Sequence, residues 1–173
     1  MSAGSPHAER AGVRLGVDVG EARVGLAASD PDALLATPVM TLRRDVNRRS
    51  DQRLLVKIAR ERSARVIYVG LPLSLSGAET RSTQKAREYA QALAQTLGEP
   101  QDAQVRLIDE RLSTVSASAK MRASGVETRH QRSSIDQAAA VEILTHALET
   151  RAALNREPGT VVSCPADPKT PED

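Results

Sequence analysis

Three apolar runs, near residues 14–19, 65–70 and 105–109, are separated in the last two intervals by stretches with helical periodicity. That order constrains the fold more than any other feature of the chain. Strands joined through a helix cannot close as a hairpin, so the later ones run parallel in one sheet. The first run, "RLGVDVG", differs: a short connection at Gly20, Glu21 and Ala22 leads into "RVGLAAS", which predicts a hairpin with Gly20 supplying a permissive backbone. "TPVMTLRR" reads as a third strand. In "QRLLVKIARER", Leu54, Leu55, Ile58 and Arg62 fall at helical spacing, and "ARVIYVG" is a buried strand ending at Gly70. Ala86, Tyr89, Ala90, Leu93, Ala94 and Leu97 mark a second helix that Gly98 stops. "VRLID" is the fifth strand. A helix of small residues follows from about Thr114 to near Gly125, and a terminal helix begins in "SSIDQAAAVEIL", where Ser134 and Gln137 form a capping-box pattern with Asp136 in the first turn. The expected fold is α/β: a mixed five-stranded sheet with helices on both faces.

A chain of 173 residues, 40% hydrophobic and 27% charged, buries one core rather than two. We expect a single domain over 13–155, a flexible N-terminus over 1–12 and an unstructured tail over 156–173, rich in Pro, Asp and Thr. Two bases against four acids in that tail leave the rest mildly basic under a net charge of +2. A lone Cys164 and an opening without an apolar stretch suit a cytoplasmic protein, and no run reaches the length that crosses a bilayer. With only Tyr68 and Tyr89 as aromatics, there is almost nothing on which to stack splayed bases.

Four acids stand out. Asp18 lies between Val17 and Val19 in an otherwise apolar strand, where an isolated carboxylate costs several kcal/mol unless compensated. Asp109 and Glu110 end the fifth strand, with Arg111 at once behind. Each has a plain structural reading: a turn cap for Asp18, a surface ion pair with Arg111, and for Asp136 the helix-dipole preference of about 0.3–1 kcal/mol. One arrangement accounts for all of them together, because sites in open sheets gather beyond the carboxyl ends of parallel strands. Acids crowded there call for hard divalent ions, which take oxygen ligands and share substrate phosphates.

"GVDVGEARVGLA", "IYVGLPLSLSG", "LIDERLSTVSA" and "IDQAAAVEIL" resemble, in order, the four motif blocks of the YqgF/RuvX family. These are bacterial proteins of ribonuclease H-like fold, described as pre-16S rRNA nucleases and, in some members, as Holliday junction resolvases. The likeness runs from about Arg14 to Leu154. It implies a nuclease dependent on Mg²⁺ or Mn²⁺, with two ions in the presence of substrate, whose catalytic and metal-binding acids match Asp18, Glu110 and Asp136. Adjacent strand residues face opposite sides, so Glu110 is favoured as metal ligand, with Asp109 the alternative if a local bend reverses the choice; otherwise Asp109 orients Arg111, which faces the phosphate. Gly70 and Pro72 read either as walls leaving room for substrate or as a tight structural loop.

Arg122, Arg129 and Arg132, just ahead of Asp136, join Arg111 as candidate nucleic-acid contacts, while Arg43, Arg44, Arg48 and Arg49 read as a solvated charged face and His130 as an exposed loop residue. The expected substrate is nucleic acid: pre-16S rRNA first, branched DNA second. A non-catalytic rRNA-binding assembly factor is the third reading. The "DVG" hairpin also resembles the phosphate loop of sugar kinases and actin-like ATPases, but those need two such domains and this length holds one. A monomer or weak homodimer follows from the absence of any sign of an obligate hydrophobic interface.

Overall fold

Alternation decides which way each strand turns. In the computed structural model, which describes residues 11–98, 102–112 and 129–164 (backbone only at 112 and 129–133), β1 (Arg14–Val19) pairs antiparallel with β2 (Arg23–Ser29), and β2 pairs antiparallel with β3 (Ala36–Arg43). β1 also pairs in parallel with β4 (Val66–Leu71), and β4 in parallel with β5 (Gln104–Asp109). A two-residue β6 (Thr160–Val161) closes the far side antiparallel to β5, giving the order β3-β2-β1-β4-β5-β6. The expected five strands are present, and β6 is an addition.

The hairpin forms as expected, with Gly20 N–H donating to the Arg23 carbonyl at 2.8 Å. Gly20 does not adopt positive φ; a side chain there would press on that same carbonyl. Pro38 in β3 is tolerated because β3 is an edge strand and the proline lies beside the register shift at Leu26/Ala27.

α1 (Ser50–Glu61) and α2 (Arg81–Leu97) cover one face of the sheet, burying Leu55, Ile58, Tyr89, Ala90 and Leu93 against Leu15, Val17, Val24, Leu26, Ile67, Val69 and Leu107. The α2 stripe is the one its periodicity predicts. In α1, however, Leu54 points to solvent and the stripe is completed by Gln52 and Ala59. α3 (Arg129–Leu154) covers the opposite face through Ala140, Leu144, Ala147 and Leu148, packed on Ala27, Val66, Tyr68 and Ile108. Among the described residues, no helix is long and apolar enough to cross a membrane. The expected helix of small residues between Thr114 and Gly125 lies outside the described residues.

Residues 156–164 correct the expectation of an unstructured segment beginning at 156. Glu157 accepts from the buried Arg14 guanidinium and from the Tyr68 hydroxyl, and Arg151 Nε donates to it at 3.1 Å. Arg106 holds the next turn, donating to the Pro158 carbonyl at 2.7 Å and the Gly159 carbonyl at 3.0 Å, and Val162 enters the core. Burial works against the Glu157 charge, but the hydrogen bonds from Tyr68 and Arg14 outweigh it and hold the carboxyl below its ordinary 4.5. A depressed carboxylate contributes stability that is full above its unfolded value and is lost as pH falls through the folded one. Glu157→Gln is therefore expected to flatten the acid-side loss of stability and to cost about 2 kcal/mol at neutral pH. Urea midpoints measured at neutral and acid pH check both, and an unchanged acid slope in the variant would contradict the assignment.

Candidate active site

Four positions line up across the sheet near the carboxyl ends of the parallel strands. Asp18 of β1 pairs with Gly25 of β2; on its other side the register that joins Val17 to Val69 brings Gly70 of β4 alongside, and Gly70 pairs with Ile108 of β5. The residues before and after Asp18, Gly25 and Gly70 belong to or pack on the α1/α2 core, so these three turn to the α3 face. Asp18 thus stands between two glycines.

Both gaps are used. A Cβ on Gly25 would overlap the main-chain carbonyl of Asp136, so this glycine lets the backbone of α3 rest on β2. One on Gly70 would overlap the Glu110 carboxylate and the tip of Ile143. Glu110 opens a single 3-10 turn (Glu110–Leu112) after β5, and this turn folds its carboxylate back over Gly70, beside Asp18. Gly70 is therefore the seat of Glu110 rather than an open wall. Pro72 belongs to a tight loop, its carbonyl accepting from the Thr83 hydroxyl in the first turn of α2.

Asp136 reaches this face from α3, on the stripe that continues through Ala140, Ile143 and Leu144. α3 is already helical from Arg129, which places Asp136 well inside the helix, and Ser134 and Gln137 do not cap it. The dipole reading of Asp136 therefore lapses, since that effect fades beyond the first turn. His130 is likewise on the helix rather than in a loop, as are Arg129 and Arg132, whose side chains are not among the described ones; Arg122 lies outside the described residues.

Arg23 Nε donates to Asp136 Oδ2 at 3.0 Å. Arg23 lies two residues before Gly25, so it shares the α3 face. Burial pushes the Asp136 carboxyl above its ordinary value, and Arg23 opposes that rise. Held by Arg23, Asp136 does not complete a cluster: among the described residues, no three His, Cys, Asp or Glu side chains stand together as a metal site. The fit to a divalent cation is thus carried by two acids, Asp18 and Glu110. Mg²⁺ commonly needs no more from a protein than one or two carboxylates.

Asp109 takes the separate role its position suggests. Its carboxylate is gripped by Arg111, with Nε at 3.1 Å from both oxygens and Nη2 at 2.7 Å, and accepts the Arg111 backbone N–H at 2.9 Å. That hydrogen bonding keeps the Asp109 carboxyl below its ordinary value. The guanidinium rests over Gly77, whose φ of +83° makes the turn in the loop between β4 and α2.

One basic group escaped the sequence reading. At the hairpin tip, Glu21 is hydrogen-bonded by Lys85 and held below its ordinary value by that contact, with Arg81 and Arg44 adding their charge. Arg44 also lies over the Tyr89 ring, 5.7 Å from its centroid, and donates to the Gly20 carbonyl at 3.2 Å. Arg81 and Lys85 are four apart at the start of α2, a spacing that puts them on one helix face. Arg44 is therefore part of a basic rim along the carboxyl edge, not merely a solvated face.

Comparison with known proteins bears on the family and the fold. The family model described as "RuvX: Holliday junction resolvase" matches residues 12–150. A Clavibacter sepedonicus protein named "Putative pre-16S rRNA nuclease" is 51% identical over 153 residues, covering 88% of this chain and 92% of that one. A Mycobacterium tuberculosis protein of the same name is 51% identical over 142 residues, covering 82% and 81%. Among solved structures, Thermus thermophilus RuvC in complex with a Holliday junction substrate superposes with a TM-score of 0.52 at 15% identity, over 86% of this chain and 98% of that one, a likeness of fold. The chain accordingly belongs to the RuvX family, a nuclease family, and carries a RuvC-like fold.

Proposed function

We propose that this protein is a divalent-cation-dependent nuclease that hydrolyses phosphodiester bonds at the 5′ end of pre-16S rRNA in the cytoplasm. The observation that carries the reading is the Gly25–Asp18–Gly70 row, which seats the Glu110 carboxylate over Gly70, the strand position alongside Asp18 on the α3 face. In this reading Asp18 and Glu110 hold Mg²⁺ or Mn²⁺, and Asp136 is the third ligand. When bound, such ions lower the pKa of a coordinated water and steady the leaving oxygen. The chain's own groups do the positioning: Asp109 holds Arg111 toward a phosphate, and Arg44, Arg81 and Lys85 offer the backbone a basic rim. With few aromatics, recognition runs through backbone and shape.

The rRNA substrate is taken from the names of relatives at about half identity. The description of the matching family and the junction-bound neighbour favour a second reading, junction resolution. Resolution needs two sites related by a two-fold axis, whereas trimming one RNA end needs one. Side-by-side cleavage of a pre-16S leader RNA and a four-way DNA junction, with Mg²⁺ and with chelator, decides between them. Metal-dependent cutting of the RNA by a monomer supports the proposal, and paired symmetric cuts by a tight dimer replace it. Cleavage of neither leaves the assembly-factor reading standing.

Glu110 and Asp109 give a sharper test of the site. Glu110→Gln is expected to lower cleavage by more than about a hundredfold, because even partners behind a metal ligand cost 10–100-fold. Asp109→Asn keeps the ligands and weakens only the grip on Arg111, so a smaller loss is expected. Initial rates for both variants check this, and the reverse ranking would show that the wrong face was chosen.

A further inference from the structure

We propose that Arg23 is an internal stand-in for the divalent cation: it holds Asp136 while the site is metal-free, and hands that carboxylate over when a cation binds, turning its own guanidinium toward the substrate phosphate. The inference rests on the reading of Asp18, Glu110 and Asp136 as one cation site. Three observations support it. Arg23 and Asp18 rise from neighbouring strands on the same face of the sheet, Arg23 two residues before the Gly25 that pairs with Asp18. The main chain of Asp136 is seated directly on Gly25, so the carboxylate can change partners by side-chain rotation without moving α3. The Arg23–Asp136 contact is a single hydrogen bond through Nε at 3.0 Å, with the two side chains 33% and 22% exposed, a pairing weak enough to exchange.

This arrangement gives Arg23 a use in each state. Without metal, it offsets the charge of a half-buried carboxylate. With metal, a fixed positive charge beside the cation is repelled from it and attracted to the nearest phosphodiester oxygen, for which a guanidinium is well shaped. Cation binding and backbone binding become coupled through one side chain, and such coupling is reciprocal.

Calorimetric titration of Mn²⁺ into the full chain tests the proposal. Arg23→Gln removes the competitor and is expected to bind Mn²⁺ about three- to tenfold more tightly than wild type. Arg23→Lys, which keeps the charge but loses the planar donor, is expected to fall between them and guards against a folding defect in the glutamine variant. The double variant Arg23→Gln/Asp136→Asn should lose the gain. A second readout is binding of a fluorescent RNA hairpin with and without Ca²⁺: wild type should gain affinity with the cation, and Arg23→Gln should gain less. Equal or weaker Mn²⁺ binding by Arg23→Gln overturns the proposal, as does a gain that survives in the double variant. If wild type binds Mn²⁺ and cuts RNA while either of these holds, only the Arg23 role falls; if no Mn²⁺ binds to wild type, the cation-dependent reading falls with it.

Discussion

Asp18→Asn is expected to lower metal-dependent cleavage by more than about a hundredfold while leaving the melting temperature unchanged or slightly raised. The reason lies in the row across the sheet. Gly25, Gly70 and Ile108, which share that row, offer no polar side chain, so in this reading Asp18 and the Glu110 carboxylate seated on Gly70 carry the cation between them, and losing one leaves a single acid. Asparagine keeps the shape and one oxygen but removes the charge that a hard cation selects. Stability should not suffer, since the substitution removes a carboxylate from a strand interior where its charge is costly. Single-turnover rates with Mg²⁺ and a thermal melt of the same preparation check both halves. Wild-type cleavage by protein shown to be free of contaminating nuclease would sink the site.

A second large effect is expected at Gly25, on stability rather than chemistry. Gly25→Ala drives a methyl into the Asp136 carbonyl, a main-chain atom that cannot rotate aside, so α3 must lift from β2. Overpacking of this kind costs typically 1–3 kcal/mol, and a backbone collision puts Gly25→Ala at about 3 kcal/mol or more. Urea denaturation measures the cost, and a Gly25→Ala loss below about 1 kcal/mol would mean that α3 is not seated on β2, and with it Asp136 would lose its anchor.

What the sequence made legible was whatever repeats along the chain. Helical spacing marked α2 residue by residue, because that signal survives in one dimension; Glu110 lies past the end of β5 in a 3-10 turn, where strand alternation no longer applies. Contacts that cross the fold left no such trace. The ends of the domain illustrate this: "EPGTVV" looks like a loose tail by composition, yet Arg14, Tyr68 and Arg151 each reach Glu157, and Arg106 reaches the turn after it. The start of α3 was missed for a different reason. "RHQRSS" has no apolar residue to show a period, so the capping-box spacing at Ser134 and Gln137 stood alone, and spacing alone does not say where a helix begins. In the site, the acids were visible as anomalies of type; that Asp136 is held by Arg23 was not, since the two are far apart in sequence and meet only across the α3–β2 contact.

The clasp on Glu157 has a consequence for the order in which the chain acquires its structure during synthesis. Arg14 opens the first strand and is 4% exposed, so the sheet is built from its outset around a positive charge that needs a counter-ion. That counter-ion comes from the segment after the last helix and is among the final described residues to leave the ribosome. A nascent chain that has already made β1 to β5 still lacks that counter-ion and the segment that carries it, so the sheet reaches its final packing only once synthesis has passed residue 157. Asp136 arrives before it, on the last described helix. In this protein the closing of the fold is a late event, so a product truncated before residue 157 lacks the clasp that completes its core.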